Sequence, residues 1–229
     1  MQFSSLTLRS FTVAAALAGA AASAHADLTI PTNALVADSV QAFSSDALNA
    51  FALFKITVAP LGNAYEVAGA ATQSFDFPIT TITVGSGLKI VKGDAKGSAL
   101  EISRTVDGAK AGVILANFTI NYQTAQVLAD TTPIGGVTTS QVPLYTFNTA
   151  TPLAIKYKFP LTITGHEVLD TLKMTADMQT ALKAGLKFTS SESFLADAVI
   201  PQLDFGTLTQ DLIVKFRKAV SSKPYVPTF

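Results

Sequence analysis

The chain contains no cysteine and no tryptophan, and it has only two histidines among its 229 residues. Without cysteine there is neither a disulfide framework nor a thiolate metal site. One histidine, His25, lies in the N-terminal segment described below, so His166 is the one histidine in the rest of the chain. Metal sites built from several histidines are therefore excluded as well.

The chain is also poor in charge, which makes up 14% of its residues, with 16 basic and 16 acidic side chains. No run of like charges and no basic stripe is present. Such a chain lacks the electrostatic surface with which proteins bind nucleic acid or anionic membranes. We expect neither of these partners; protein partners or self-assembly stay open, and the sequence does not identify them.

The N-terminal segment has the three parts of a secretory signal peptide. Arg9 supplies positive charge, residues 11–23 form an apolar run, and Ala24-His25-Ala26 has the pattern of a cleavage site. The apolar run is shorter than the about 20 residues that a membrane-spanning helix needs. We expect cleavage after Ala26, export to the periplasm or the cell exterior, and no membrane span in the mature chain, residues 27–229.

Short strand-like segments dominate the mature chain. They are rich in Val, Ile, Thr, Phe and Tyr and are separated by turn signals such as Asp107-Gly108, a pair that favours a hairpin. This spacing predicts a single all-β domain, mainly an antiparallel sandwich, with an irregular C-terminal tail from about residue 218. The segments are 55–60, 80–91, 99–106, 112–122, 155–164 and 208–216.

Apolar residues at helical spacing predict two or three short helices within this β-rich domain. Residues 44–54 have this spacing, with Ser44 or its neighbour as the N-cap. Residues 177–185 have it too, and they end on Gly185, where a glycine closes many helices. Residues 191–199 are the third candidate.

Alternation of apolar residues is clearest in residues 112–122. Asn117 falls on the same face as Val113 and Leu115, and Phe118 falls on the opposite face. A period of two is typical of a strand with one buried face and one face in water. We therefore expect one side of this strand to be exposed to solvent.

Two similar hexapeptides recur in the chain, FDFPIT at 75–80 and YKFPLT at 157–162. In each, a proline follows two aromatic residues, and proline cannot donate to a strand ladder, which confines it to an edge or a bulge. The charged residues between the aromatics have opposite signs, which argues against a shared ligand site. We predict two edge-strand corners, at Pro78 and Pro160, that anchor aromatic side chains in the core.

His166 and the tyrosines are the candidates for chemistry. His166 follows a strand-like run, where we expect a turn, and no G-x-S-x-G motif is present. A Ser-His-acid triad needs one histidine, so a hydrolase that uses His166 stays open. His166 and Tyr157 are the residues that we consider for ligand contact. The inventory otherwise favours a protein without catalytic, metal or cofactor-binding residues.

The C-terminal residue, Phe229, is consistent with a different architecture. Outer-membrane barrels often end in an aromatic closing strand, and their alternation is weak in each segment. Pro224 and Pro227 interrupt the last residues and oppose this interpretation. A small outer-membrane β-barrel stays as an alternative.

Four phrases span most of the mature chain: FSSDALNAFALFKITVAPLGNA (43–64), GSGLKI (85–90), LANFTINYQTAQVLAD (115–130) and LDFGTLTQDL (203–212). They resemble secreted β-rich proteins of unknown function from Gram-negative bacteria and, more distantly, the HtaA-type domain of haem-uptake proteins. The resemblance implies a β-sandwich-like fold, export and contact with a ligand such as haem. No position matches that domain's haem-binding tyrosine.

Together these patterns predict an exported, non-enzymatic protein that acts by binding or by structural assembly. The alternative is a small-ligand binder, with haem as the ligand that the resemblance implies.

Overall fold

The computed structural model describes residues 27–31, 36–86, 89–158, 162–213 and 220–229. These residues form one antiparallel sheet of twelve strands with three α-helices, so the predicted all-β fold with short helices is confirmed. The predicted signal peptide, residues 1–26, lies outside them. In the described part of the chain, no helix has the length and apolar character needed to cross a membrane.

The strands are β1 (Leu28–Pro31), β2 (Val36–Ala42), β3 (Thr57–Gly62), β4 (Tyr65–Glu66), β5 (Ser74–Pro78), β6 (Thr81–Val84), β7 (Ile90–Val106), β8 (Ala109–Asn121), β9 (Gln126–Pro133), β10 (Thr139–Lys158), β11 (Thr162–Met174) and β12 (Thr207–Ile213). The helices are α1 (Ser45–Leu53), α2 (Ala176–Gly185) and α3 (Ser190–Val199), and a 3₁₀ turn (Ile200–Gln202) follows α3.

The sheet curls on itself through the join of β5 and β6. Strands β6 to β12 pair in chain order, β12 pairs with β2, and β2 pairs with β5. At the join, the N–H of Ile79 donates to Ala37 O of β2 (2.8 Å) and the N–H of Thr80 donates to Asp94 O of β7 (2.7 Å). The chain thus changes partner from β2 to β7 within two residues. A single curled sheet, whose opposite walls pack face to face, takes the place of two separate sheets.

Pro78 ends β5 directly before this join, opposite Asp38 of β2. The other neighbour of β5 among the described strands, β4, pairs only with Phe75 and Asp76. Within the described residues, the side of β5 that faces β4 therefore has no strand partner at Pro78. The N–H that proline lacks is not needed for a ladder hydrogen bond there. Pro160 lies outside the described residues.

Aromatic side chains fill the interior of the curl. Phe75 and Phe77, the two aromatics of FDFPIT, are buried, and Phe77 packs against Phe118 of β8 with ring centroids 4.8 Å apart. Phe75 packs edge to face on Phe43 at 6.1 Å. Such offset and edge-on pairs add about 1 kcal/mol each to the burial of the rings.

The helices begin where the sequence predicts, but α2 does not end as predicted. The side chain of Ser44 accepts from the N–H of Ala47 (3.0 Å), which caps α1. Gly185 is the last helical residue of α2 rather than a left-handed residue beyond it, and Leu186 is the C-cap. The glycine serves packing instead: a Cβ there would lie 2.3 Å from Val113 Cγ1.

Strand β8 is buried on both faces from Ala111 to Ile120, so the expected wet face was wrong. A β-bulge at Asn117, whose φ is 55°, reverses the alternation. Leu115 faces the core before the bulge and Phe118 faces it after the bulge. The prediction assumed an uninterrupted period of two, and one extra residue moves every later side chain to the other face. On the outer face, Tyr225 of the C-terminal tail packs against the cluster that contains Ile114 and Ala116.

Candidate functional site

The tail, residues 220–229, lies on the outer side of the sheet in a groove formed by β3, β7 and β8. The described tail has no strand pairing of its own. We call the residues beneath it the tail groove: Leu61, Gly62, Asn63, Gly97, Ala99, Ile114, Ala116 and Asn117.

The side chain of Asn117 pairs with both backbone groups of Tyr225. The N–H of Tyr225 donates to Asn117 Oδ1 (2.7 Å), and Asn117 Nδ2 donates to the carbonyl of Tyr225 (3.0 Å). An amide side chain carries one acceptor and two donor hydrogens, which match the acceptor and donor of a peptide unit. The groove thus recognises the main chain of the tail.

The bulge of β8 sets the position of this amide. Asparagine adopts a left-handed backbone more readily than most residues, which suits φ 55° at Asn117. Its Oδ1 also accepts from the N–H of Gly97 in the facing bulge of β7 (3.1 Å), and its Nδ2 also donates to Asp130 Oδ2 (2.9 Å). The amide is therefore held in the pairing orientation from within the sheet.

Asp130 of β9 is the hub of the hydrogen bonds behind Asn117. Its Oδ1 accepts from Ser140 Oγ (2.8 Å), from the N–H of Gln141 (3.0 Å) and from Gln141 Nε2 (3.2 Å). Burial raises the pKa of Asp130, but the hydrogen bonds from Asn117, Ser140 and Gln141 outweigh it and lower the pKa below the ordinary value. The carboxylate is thus the charged anchor of the amide.

Asn63 anchors the tail at a second place, Ser221, which lies four residues before Tyr225. Its Nδ2 donates to the carbonyl of Ser221 (2.7 Å) and to the carbonyl of Lys96 in β7 (3.1 Å). Its own N–H donates to Gly97 O (2.8 Å), which fixes the turn after β3 against the bulge. Main-chain groups of the tail are therefore held at two places, Ser221 and Tyr225.

Two glycines let the tail approach the sheet closely. Gly62 and Gly97 have φ of 65° and 80°, in the left-handed region that favours glycine. A Cβ on Gly97 would lie 2.9 Å from Lys223 O, and a Cβ on Gly62 would lie 2.9 Å from Tyr225 Cδ2. A larger residue would collide first within the groove, with Gly97 O from position 62 and with Asn63 Nδ2 from position 97, and then with the tail.

The ring of Tyr225 covers a small apolar floor that is separate from the main core. The floor consists of Ala99, Ile114 and Ala116, with Leu61 beside the ring. Beyond Tyr225 the tail turns its apolar side chains to solvent, with Val226 72% and Phe229 66% exposed. Tyr225 is thus the one aromatic of the tail that packs in the groove.

The free energy that holds the tail is small. The three hydrogen bonds from Asn63 and Asn117 contribute about 1 kcal/mol each, and the half-buried ring contributes about 1–2 kcal/mol. Ordering residues 221–225 opposes this by about 1 kcal/mol per residue. Because these contributions nearly cancel, the tail can leave the groove without unfolding the sheet.

A second polar cluster lies inside the curl and has a different character. Gln210 Nε2 donates to Ser39 Oγ (2.8 Å), and the neighbouring Glu167 accepts from the hydroxyl of Tyr122 at Oε2 (2.6 Å). Burial raises the pKa of Glu167 although the hydrogen bonds from Tyr122 and from the N–H of Leu153 lower it. These hydrogen bonds satisfy polar groups that are buried in the core.

The cavities that the described residues form inside the curl are small. Each of two cavities beside this cluster has a volume of about 20 Å³, enough for one water molecule. Small-molecule sites in proteins have roughly 300–1,000 Å³. A wider depression of about 750 Å³ lies between α1 and residues 66–73, but it is open, and Glu66 is its one ionisable residue among those described.

Neither of the two tyrosines beside these cavities has room next to it for haem. Tyr145 is buried and Tyr122 is partly buried, each beside a cavity of one water, and burial raises the pKa of Tyr145 to about 12, against a smaller effect of Gln41. Within the described ranges, no three His, Asp or Glu side chains are grouped so that they could hold a metal ion.

His166 and Tyr157 lie apart from the tail groove. His166 is in β11, not in the turn that we expected, and its exposed ring places Nδ1 2.8 Å from Asp211 Oδ1 of β12. In the described part of the chain it has no hydroxyl partner of the kind that a triad needs. Tyr157 is in β10 opposite Ile163, and its side chain lies outside the described part.

Sequence patterns missed Asn63, Asn117 and Tyr225. One signal was available: Asn117 interrupts the apolar run of residues 113–118, and a polar residue in such a place is typical of a bulge or a site. Nothing in the sequence connects Asn117 with Tyr225, which lies 108 positions later.

No family model matches the chain, and no curated protein matches it. Among solved structures, the crystal structure of the C-terminal domain of HtaA from Corynebacterium glutamicum is similar, with 14% sequence identity and a TM-score of 0.47. The match covers 79% of this chain and 99% of that chain. The resemblance to the HtaA-type domain is thus confirmed only as a distant structural similarity.

Proposed function

We propose that this chain is an exported, non-enzymatic binding protein whose recognition site is the tail groove and whose ligand is an extended segment of polypeptide. One observation carries the proposal: the amide of Asn117 pairs with the N–H and the carbonyl of Tyr225. The export is the expectation from residues 1–26, which places the protein in the periplasm or outside the cell.

The arrangement supports peptide binding because different groups provide affinity and selectivity. Proteins that receive an extended segment use main-chain hydrogen bonds for affinity and side-chain pockets for selectivity. Here Asn63 and Asn117 hold the main chain at Ser221 and Tyr225, and the apolar floor accepts the ring of Tyr225. The groove therefore suits a segment that has an aromatic residue four positions after its first anchor.

Other functions have less support. The exposed His166–Asp211 pair lacks a described nucleophile, and the interior cavities hold one water each. The tail groove is the place where the described residues hold an extended segment through main-chain groups.

The test uses the full-length variant Tyr225→Pro. Proline has no N–H to donate to Asn117 and no ring for the floor, so the variant's own tail leaves the groove. A fluorophore on a cysteine introduced at the exposed Phe229 reports this release, and the label is unique because the natural chain has no cysteine. Release lowers the anisotropy of the fluorophore.

The Tyr225→Pro variant without the added cysteine and fluorophore is then titrated with a fluorescent nonapeptide. The peptide is SSKPYVPTF, residues 221–229. We expect weak, saturable binding with Kd on the order of 1 mM, that is about 4 kcal/mol. The matched control is the same peptide with proline in place of tyrosine, which should not bind. If the tail is released and the two peptides behave alike, the groove does not recognise this segment and the proposal is wrong.

A further inference from the structure

We infer that the tail groove also accepts the tail of a second copy of this chain, so that two copies associate by exchanging tails. The inference rests on the proposed function, since it requires the groove to bind the segment when another molecule supplies it. It adds the identity of the partner.

The tail is attached in a way that permits exchange. Its anchors are side-chain amides, Asn63 and Asn117, and no ladder bond of the described strands breaks when Ser221 and Tyr225 leave. Beyond Tyr225 the tail is exposed at Val226 and Phe229, so the described residues on that side do not enclose it. No cysteine is present that could lock the tail in place.

The groove fits this particular segment, and a second copy carries the same segment. Gly62 and Gly97 leave room for the backbone around Lys223, and the floor under Tyr225 is limited by Ala99 and Ala116. A partner with other residues would have to match this spacing, whereas a second copy matches it by identity. Exchange of an identical element is a low-cost route to a dimer.

Exchange competes with the tail of the same molecule. A segment tethered near its own site has an effective concentration of roughly millimolar. The wild-type chain is therefore expected to be monomeric at micromolar concentration and to form exchanged dimers as its concentration approaches that of the tether. Mutual exchange between two copies closes a two-fold dimer, and one-way exchange continues into longer assemblies.

Two full-length variants remove the internal competition. The tail variant, Tyr225→Pro, has an open groove and a tail that cannot bind. The groove variant, Ala116→Leu, has a normal tail and a larger side chain under the ring of Tyr225. In static light scattering without a column, each alone should remain a monomer at about 1 mM, while an equimolar mixture at the same total concentration should form a 1:1 complex in proportion to the peptide affinity.

Controls distinguish the possible failures. Circular dichroism and thermal unfolding show whether Ala116→Leu keeps the fold; if it does not, Asn117→Asp replaces it, since a second carboxylate beside Asp130 disrupts the pairing with Tyr225. A chain with both substitutions should join neither partner. If the nonapeptide binds but the mixture stays monomeric, tail exchange is wrong and the groove remains a peptide site. If the nonapeptide does not bind either, the proposed function is wrong.

Discussion

Arg104 of β7 and Glu192 of α3 form a two-point ion pair, with 2.6 Å between Nη1 and Oε1 and 2.9 Å between Nη2 and Oε2. The same guanidinium donates through Nε to Leu186 O (2.8 Å) and lies 4.6 Å from the ring centroid of Phe188. Glu192 also accepts from the N–H of Thr189 and completes the capping box of α3. One side chain of the sheet thus fixes the connection between α2 and α3.

Replacing Arg104 by lysine should destabilise the protein although the charge is kept. A lysine cannot make two parallel hydrogen bonds to a carboxylate and also reach Leu186 O and Lys187 O from one planar group. We expect the free energy of unfolding to fall by about 1–3 kcal/mol in urea titrations. The control is Lys110→Met at the Lys110–Glu101 pair, whose lysine is exposed; this change should alter stability by less than about 1 kcal/mol. Equal losses in the two variants would contradict the special role of Arg104.

The same ion pair predicts a loss of stability in acid. The hydrogen bond from Arg104 lowers the pKa of Glu192 from 4.5 to about 2. A carboxyl whose pKa is lower in the folded than in the unfolded protein stabilises the fold above the unfolded pKa and loses that effect on protonation. The difference in unfolding free energy between wild type and Glu192→Gln should therefore shrink as pH falls from 4.5 toward 2. A constant difference over this range, measured by thermal or urea unfolding, would contradict the pairing.

Glu167 should have the opposite effect on how stability depends on pH. Burial raises its pKa above 4.5, so the folded protein binds more protons than the unfolded chain in the window that begins at 4.5. Stability contributed by this residue is full below 4.5 and declines as pH rises through the folded pKa. Relative to Glu167→Gln, the wild type should lose stability as pH increases across that window.

Tyr122→Phe separates the hydrogen bond from the burial of Glu167. Removing the hydroxyl deletes the donor to Glu167 Oε2. The buried carboxylate then lacks this partner, which should lower the free energy of unfolding by about 1–3 kcal/mol at neutral pH. Because the lost hydrogen bond had lowered the pKa of Glu167, the decline of stability should extend to higher pH in this variant. An unchanged pH profile would show that Tyr122 does not stabilise the charged form.

Local patterns in the sequence predicted much of the secondary structure. The helices over 44–54, 177–185 and 191–199 follow from apolar spacing and from capping residues, which act within a few positions. The Asp107-Gly108 hairpin is confirmed, with positive φ at both residues. These features depend on neighbours along the chain, and the sequence contains those neighbours directly.

The candidate site could not be predicted in the same way. Its bulge at Asn117 depends on hydrogen bonds to Gly97 and Asp130 in neighbouring strands, and its ligand segment is contributed by Tyr225 from the chain terminus. Register between strands is set by pairing across the sheet, so an extra residue in one strand is visible only in the folded protein. The burial of both faces of β8 was missed for the same reason.

Gly185→Ala tests whether packing rather than helix closure explains the glycine at the end of α2. Alanine has a higher helix propensity than glycine by about 1 kcal/mol, so a position without neighbours would gain stability. Here the added Cβ would lie 2.3 Å from Val113 Cγ1 and 2.9 Å from Gly112 O, which must move α2 away from β8. We expect a net loss of about 1–3 kcal/mol in urea titrations.

The matched variants are Val113→Ala and the double variant with Gly185→Ala. Removing the valine methyls relieves the nearest contact, so the loss from Gly185→Ala should be smaller in that background, with a coupling of about 0.5–3 kcal/mol. Additive effects would place the strain at Gly112 O instead of at the valine. If Gly185→Ala raises the stability of the wild type, propensity outweighs packing, and the close contact of α2 with β8 does not determine the choice of glycine.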